Sequence, residues 1–195
     1  IVAMYRPSTI RRGGERLIDF FRLIFDRVPE AQIVVFGEDG DFPYDLAPRV
    51  QRIGKISRKR VAEIYRASAF CVDLSHFHGF GRMGIESMSC GCVPLMTESG
   101  GVSEYMVSGL NSIRVDPTNY DTAVDSLVEL LESKEQFEKY RMNALKTSEK
   151  WSEWRASEDW LNLLEIQSSP SKWHAIEEIF HQNERSELSR VAGNV

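Results

Sequence analysis

Cysteine is scarce in this sequence, and long apolar runs are absent from it. The 195 residues include 3 cysteines, at Cys71, Cys90 and Cys92. So small and odd a number does not build a disulfide framework and is typical of a reducing compartment. No apolar run approaches the roughly 20 residues that a membrane-spanning helix needs. We therefore expect a globular fold held by its core, in which Cys90 and Cys92 are small packing residues at the end of a helix.

The sequence also lacks the excess of positive charge that general nucleic-acid binders have. Lysine and arginine together number 24 and the acids 29, which gives a formal net charge of -5. This balance argues against a nucleic-acid partner. Basic residues are nevertheless concentrated in residues 6–16 and 49–66, which favours a small anion as ligand.

Short, β-branched apolar segments alternate with helical patterns along most of the chain. The sequence predicts strands at residues 1–6, 32–37, 50–56, 69–74, 92–96 and 112–115. One apolar helix face between the first two strands is formed by Leu17, Phe20, Phe21, Ile24 and Val28. Because short connections join strands and helices in alternation, we expect an α/β fold with a doubly wound, Rossmann-like, six-stranded parallel sheet.

The last third of the chain contains no strand pattern. Residues 135–167 are predicted to be helical, and Trp151, Trp154 and Trp160 in this segment either pack on the sheet or face a partner. Residues 168–171 are typical of a linker, followed by an amphipathic stripe. We expect one nucleotide-binding domain over residues 1–167, then a linker and helical tail over residues 168–195.

A glycine turn follows the fourth predicted strand and directly precedes a helix at residues 82–89. Gly79 and Gly81 flank Phe80 there, so backbone N–H groups can approach an anion at the start of the helix. Glu86 lies farther along the same helix, where its carboxylate suits hydroxyl groups such as those of a ribose. Because the turn lies at the carboxyl edge of the sheet, where open α/β sheets bind ligands, it is a candidate phosphate site.

This stretch resembles the donor-site signature of the retaining glycosyltransferases of family 4, which have the two-domain GT-B fold. The glycine turn matches the family's Gly-Phe-Gly, and Glu86 matches the second of its two glutamates. Residues 89–94 resemble the Ala-Cys-Gly-x-Pro-Val run, and Gly100, Gly101 and Glu104 match a Gly-Gly-x-x-Glu element. The resemblance implies the C-terminal half of a GT-B enzyme with extra C-terminal helices, whose N-terminal acceptor domain lies outside this chain.

The resemblance also implies roles for individual residues. Arg6 and Arg12 match an Arg and a Lys that stabilise the leaving diphosphate without a metal, and Arg11 competes with Arg12 for the second role. Glu86 would hold the ribose, and Glu104 is either structural or reaches the donor. Other donor contacts are expected at the helix start and near the base, from Gly79, Phe80, Gly81, Arg82, Met83, Gly54, Lys55 and Ile56.

His78 stands where the family has its first glutamate. A neutral imidazole can hydrogen-bond a sugar hydroxyl, but it cannot supply the full negative charge of a carboxylate. This departure suggests an unusual donor sugar, such as the deoxyhexose rhamnose.

Two short patterns could in principle bind a metal. Asp39-Gly40-Asp41 resembles an Asp-x-Asp metal motif, but acids and glycine are also ordinary turn residues. His76 and His78 form a His-x-His pair without an evident third ligand. We therefore expect no metal and no cofactor.

The resemblance implies a retaining, metal-independent transfer of sugar from a UDP-, dTDP- or GDP-linked donor to a glycan or lipid-linked acceptor. We expect a cytoplasmic enzyme of bacterial surface polysaccharide synthesis, with peripheral contact to the inner membrane face. The alternatives are a non-catalytic sugar-nucleotide or protein-binding module of the same ancestry, and a GT-B nucleotide-sugar epimerase or phosphorylase-like enzyme. A flavodoxin-like signalling domain would not explain the placement of the glycines and Glu86.

Overall fold

Six parallel strands form a single sheet in the computed structural model, which describes residues 1–163. The strands are β1 (Val2–Tyr5), β2 (Ile33–Gly37), β3 (Val50–Arg52), β4 (Phe70–Asp73), β5 (Val93–Met96) and β6 (Ile113–Arg114). Their order across the sheet is β3-β2-β1-β4-β5-β6, and every neighbouring pair is parallel. The predicted α/β fold with a six-stranded, doubly wound parallel sheet is confirmed.

Within the described residues, six α-helices and two short 3-10 helices accompany the strands. The α-helices are α1 (Gly14–Arg27), α2 (Arg58–Ala67), α3 (Arg82–Ser89), α4 (Asp121–Glu132), α5 (Lys134–Glu149) and α6 (Glu153–Leu163). The 3-10 helices cover Ile10–Arg12 and Gly101–Glu104. By compactness the chain divides into two units, Ile1–Trp151 and Ser152–Val195, so the whole sheet belongs to the first unit and α6 to the second.

Alternate residues of the strands belong to different apolar clusters, which lie on opposite faces of the sheet. Both faces are therefore covered. Ala3 and Val72 belong to the larger cluster, which also contains buried side chains of α1 and α4. Val2 and Cys71 belong to a second cluster with Tyr65 of α2. This double burial explains why the strands are nearly continuous apolar runs.

The ends of α3 are set by local glycine geometry. At the C-terminal end Gly91 has φ 75°, and its N–H bonds the carbonyl of Met88 while the N–H of Cys92 bonds that of Ser87, both at 3.0 Å. This pair of bonds is a Schellman motif with Gly91 at its left-handed position. The cysteines are free. Cys92 is fully buried, as expected, whereas Cys90 is only partly buried, and burial raises the pKa of Cys71 to about 12.

Several predicted boundaries differ from the structure. β3 ends at Arg52 rather than residue 56, because Gly54 adopts φ 65° and turns the chain away from the sheet. The helix expected over residues 135–167 is divided, since α5 ends at Glu149 and α6 begins at Glu153. The linker and tail predicted for residues 168–195 lie outside the described residues. Within residues 1–163, no helix combines the length and the apolar character that a membrane crossing requires.

Candidate functional site

The candidate site lies where the chain reverses its direction of travel across the sheet. β1 and β4 are neighbours, but β1 leads through α1 to β2 on one side and β4 leads through α3 to β5 on the other. The connections that follow β1 and β4 therefore run to opposite sides, which leaves a crevice at the carboxyl ends of these two strands. In open α/β sheets this switch point is where ligands bind.

Three loops meet at this edge: residues 6–13 after β1, residues 74–81 after β4, and residues 97–101 after β5. The N–H of His76 donates to the carbonyl of Arg11 at 2.8 Å. The N–H of His78 donates to Ser99 at 2.8 Å, and that of Gly101 to Gly79 at 2.8 Å. The structure thus brings together sequence-predicted residues that are far apart in the chain.

Glycine is required where these loops approach each other most closely. Gly13 has φ 63°, and a Cβ there would collide with the carbonyl oxygen of Leu74. Gly100 has φ 94°, and a Cβ there would collide with the carbonyl oxygen of His78. Gly79, by contrast, faces open space, so its lack of a side chain leaves room beside the start of α3.

Aromatic side chains contact the glycine turn before α3. Gly81 is the N-cap with φ 81°, and its carbonyl accepts a 2.5 Å hydrogen bond from the Tyr105 hydroxyl. The Phe80 ring packs against Tyr105 at 5.4 Å and Trp151 at 5.1 Å between centroids. Met83 is buried in the second apolar cluster. Phe80 and Met83 therefore shape the turn through packing, while backbone N–H groups remain available at the helix start.

Two of the predicted cations, Arg6 and Arg12, each lie beside an acid that sequence reasoning missed. Arg6 Nε lies 3.2 Å from Glu38 Oε1. Hydrogen bonding, first from the Ser8 hydroxyl and then from Arg6, lowers the pKa of Glu38. Arg12 Nη1 lies 3.5 Å from Oδ2 of Asp73, the last residue of β4.

Arg11, the competing candidate, is placed differently from Arg12. Its side chain is exposed, and its carbonyl bonds the loop after β4. The side chain of Arg12 is only 24% exposed and faces the end of β4. This placement favours Arg12 over Arg11 as the cation beside the crevice, and both assignments remain predictions.

Two further predicted carboxylates lie on short helices near the same edge. Glu86 Oε1 accepts a 2.7 Å hydrogen bond from Nη2 of Arg82, one turn earlier on α3. Both side chains are substantially exposed, so a ligand could engage either. Glu104 is exposed at the end of its 3-10 helix. Their roles in donor binding remain predictions.

The residues predicted to lie near the base follow β3. Gly54 accepts a 2.8 Å hydrogen bond from the N–H of Gly37, and a Cβ on Gly54 would lie 3.5 Å from Oδ1 of Asp39. Lys55 is exposed, whereas Ile56 is partly buried against the second cluster. Asp39, the first residue of the Asp-x-Asp pattern, thus borders this predicted base site.

His78 is buried, with 3% of its surface exposed. Its Nε2 lies 3.0 Å from Oγ1 of Thr97, and its Nδ1 lies 3.8 Å from Oδ2 of Asp73. Burial lowers the pKa of His78, which favours the neutral imidazole. The ring therefore faces Asp73 and Thr97, neither of which sequence reasoning selected. Direct contact between His78 and a sugar remains a prediction.

The side chains that could bind a metal are dispersed over the part of the chain that the structure describes. There, no three or more His, Cys, Asp or Glu side chains are grouped so as to hold an ion. His76 is exposed while His78 is buried, so the two imidazoles occupy different environments.

A doubly wound sheet with a glycine turn, a helix start and arginines at its switch point defines an α/β domain of the Rossmann type. The sequence matches the model of the family described as "Glycosyl transferases group 1" over residues 1–147. The chain therefore belongs to the group 1 glycosyl transferases.

Individual relatives agree with this membership. The chain is 24% identical over 148 residues to the poly(glycerol-phosphate) alpha-glucosyltransferase of Bacillus subtilis, covering 72% of this chain and 22% of that protein. It is 35% identical over 79 residues to sucrose synthase 5 of Arabidopsis thaliana, covering 38% of this chain and 9% of that protein. The chain thus spans well under half the length of these curated relatives.

Solved structures share the fold. The C-terminal domain of the group 1 glycosyl transferase LpcC from Francisella tularensis matches with a TM-score of 0.63 at 22% identity, covering 75% of this chain and 82% of that one. Anabaena Alr3699/HepE in complex with UDP and glucose matches with a TM-score of 0.71 at 18% identity, covering 85% of this chain and 48% of that one. The expected likeness to the C-terminal half of a GT-B enzyme is confirmed.

Proposed function

We propose that this chain is the donor-binding half of a retaining, metal-independent glycosyltransferase. The observation that carries the proposal is the position of Arg6, Arg12 and the start of α3 around one crevice at the switch point between β1 and β4. Glycosyl transfer releases a nucleoside diphosphate, on which negative charge develops as the bond to the sugar breaks. Two guanidinium groups and a helix N-terminus can stabilise that charge.

The remaining parts of the donor are assigned to the neighbouring loops. Glu86 would accept hydrogen bonds from the ribose hydroxyls, and the N–H groups around Gly79 and Gly81 would bind the sugar and the diphosphate. The backbone at residues 54–56 would contact the base, with Lys55 exposed beside it. Glu104 would approach the donor from the loop after β5.

A UDP-linked sugar is the donor we favour, with dTDP- and GDP-linked sugars as alternatives. The Anabaena protein of similar fold was solved with UDP and glucose, and the similar Bacillus subtilis protein is named for glucosyl transfer onto poly(glycerol phosphate). By the same likeness we propose a glycan or lipid-linked acceptor that is bound by an N-terminal domain of the same enzyme. The product would be a bacterial surface polysaccharide, made in the cytoplasm with peripheral contact to the inner membrane face.

Calorimetric titration of the chain with UDP, dTDP and GDP in EDTA tests the donor site. We expect one nucleotide to bind without metal and Arg12→Ala to weaken that binding about tenfold or more, because a charge-assisted hydrogen bond is worth roughly 1.5–3 kcal/mol. Glu86→Ala should also weaken it. Arg60→Ala and Glu63→Ala are matched controls, since these residues form a similar helical ion pair on α2. Failure of all three nucleotides to bind would contradict the proposal.

A second candidate, a non-catalytic sugar-nucleotide-binding module, is favoured by one observation. The residue at the position of the family's first glutamate, His78, is a buried imidazole and presents no carboxylate to the crevice. Such a module would bind a nucleotide sugar but neither transfer nor hydrolyse it as part of the full-length protein. Transfer or hydrolysis of the sugar by the full-length protein would exclude this candidate.

A further inference from the structure

We propose that Asp73 is a positioning residue that holds Arg12 in place for the donor diphosphate, and that Ser75, His78 and Thr97 orient Asp73 for this task. The inference rests on the proposed function, in which Arg12 binds the diphosphate. It gives a role to Asp73, Ser75 and Thr97, which neither the sequence motifs nor the family likeness single out.

Asp73 is a buried carboxylate, with 4% of its surface exposed, at the carboxyl end of β4. Its Oδ1 accepts hydrogen bonds from the N–H of Ser75 at 3.1 Å and from the Ser75 hydroxyl at 2.5 Å. Its Oδ2 is buried and makes no hydrogen bond with any described residue. Because an uncompensated buried carboxylate is costly, this oxygen needs positive charge or a donor nearby.

Two groups face Oδ2: Arg12 Nη1 at 3.5 Å and His78 Nδ1 at 3.8 Å. The Thr97 hydroxyl determines whether His78 Nδ1 carries a proton that it could donate to Oδ2. It gives its one proton to the carbonyl of Ser75 at 2.6 Å, so at 3.0 Å it accepts from His78 Nε2. A neutral His78 therefore carries its proton on Nε2 and turns a lone pair towards Asp73.

Arg12 is left as the cation that compensates Asp73. Its guanidinium carries five donors in a fixed plane. Because Nε is buried, the donors that remain for an anion are those of the two Nη groups that do not face Asp73. The ion pair also restricts a long, flexible side chain before any ligand arrives, so that less conformational entropy is lost on binding. Oδ2 thus draws Nη1 towards the end of β4, and the 24% of the Arg12 side chain that is exposed is left for a ligand.

This arrangement gives His78 an indirect role. Its neutral ring fills the space beside Oδ2 without competing with Arg12 as a donor. On this proposal the residue in place of the family's first glutamate acts on the donor through Asp73 and Arg12.

A double-mutant cycle on UDP binding tests the coupling. We expect Asp73→Asn to weaken UDP binding about tenfold in the wild-type background and less than about twofold in an Arg12→Ala background. An equal loss in both backgrounds would show that Asp73 only supports the fold. Tighter UDP binding by Asp73→Asn would show that Asp73 competes with the diphosphate for Arg12. Either result overturns the proposal.

Thr97→Val provides a second variant should Asp73→Asn fail to fold. It removes the hydroxyl that fixes the His78 ring and nearly keeps the side-chain volume. A smaller loss of UDP affinity is expected, which should again disappear in the Arg12→Ala background. An unchanged affinity in the wild-type background would remove Thr97 and His78 from the proposal.

Nitrogen NMR without nucleotide separates failure of this inference from failure of the proposed function. At pH 7.5 we expect His78 to be protonated at Nε2 only. Rotation about the Cζ–Nη1 bond of Arg12 should be slower in the wild-type protein than in Asp73→Asn, because Nη1 lies 3.5 Å from Oδ2 of Asp73. These signals do not depend on whether any nucleotide binds. Equal rates of Cζ–Nη1 rotation in both proteins would refute the positioning role.

Discussion

At the scale of single residues, substitutions at Gly100 and Gly109 distinguish the cost of backbone strain from the cost of a steric clash. Both have positive φ, 94° and 84°, but only Gly100 lies against another loop, at the carbonyl of His78. We expect Gly109→Ala to reduce the free energy of unfolding by about 1–2 kcal/mol through conformational strain alone. Gly100→Ala should lose roughly 1–3 kcal/mol more, because its methyl group would force two loops of the candidate site apart. Urea unfolding of both variants measures the difference. Equal losses would show that the two loops move apart at no cost in free energy.

His78 makes the stability of the protein depend on pH in a defined direction. Burial lowers its pKa in the folded state, so the unfolded chain binds a proton more readily than the folded one. The free energy of unfolding is then fully retained above the ordinary histidine pKa of about 6.5, and it decreases as the pH falls below that value.

His78→Gln should flatten this dependence, since a glutamine side chain can still donate to Thr97 but does not titrate. Urea unfolding of both proteins between pH 7.5 and pH 5 measures the slopes. Parallel slopes would mean that other groups account for the pH dependence.

At the scale of an element, α2 depends on a side-chain cap. The Ser57 hydroxyl accepts a hydrogen bond from the N–H of Arg60 at 3.3 Å and satisfies one of the free donors at the helix start. Ser57→Ala should reduce the free energy of unfolding by about 1 kcal/mol. Ser126→Ala is the matched control, because that hydroxyl bonds an already paired carbonyl within α4, and its loss should stay within about 0.5 kcal/mol. Similar losses from both variants in urea unfolding would contradict the capping role.

The elements show where sequence patterns succeed and where they stop. The stripe of α1 was predictable because four of its five positions, Leu17, Phe20, Phe21 and Ile24, are fully buried, which is the situation that helical periodicity describes. The end of β3 was not predictable, because the left-handed backbone conformation at Gly54 ends the strand while the apolar pattern continues in the sequence. Leu131 is apolar but half exposed, since it lies in the last turn of α4.

At the scale of the whole molecule, the site was predictable where its residues are close in sequence. The glycine turn, the start of α3 and Glu86 form one local pattern, and the alternation of strands and helices placed it at the carboxyl edge of the sheet. The partners Asp73 and Thr97 were missed, because only the strand order brings β4 and β5 side by side and turns their ends towards Arg12. Such contacts carry no local sequence signal.

Nucleotide binding should stabilise the whole Ile1–Trp151 unit, because the candidate site is assembled from loops after β1, β4 and β5 that separate on unfolding. A ligand that binds only the folded state raises the free energy of unfolding by about 2.7 kcal/mol at 100 times its Kd. For a unit of this size the melting temperature should then rise by roughly 5–10 °C. UDP should produce this rise equally with magnesium and with EDTA, since the proposed site uses arginines instead of a metal. Arg12→Ala should reduce the rise and Arg60→Ala should keep it, so a rise that requires magnesium or survives Arg12→Ala unchanged would place the diphosphate elsewhere.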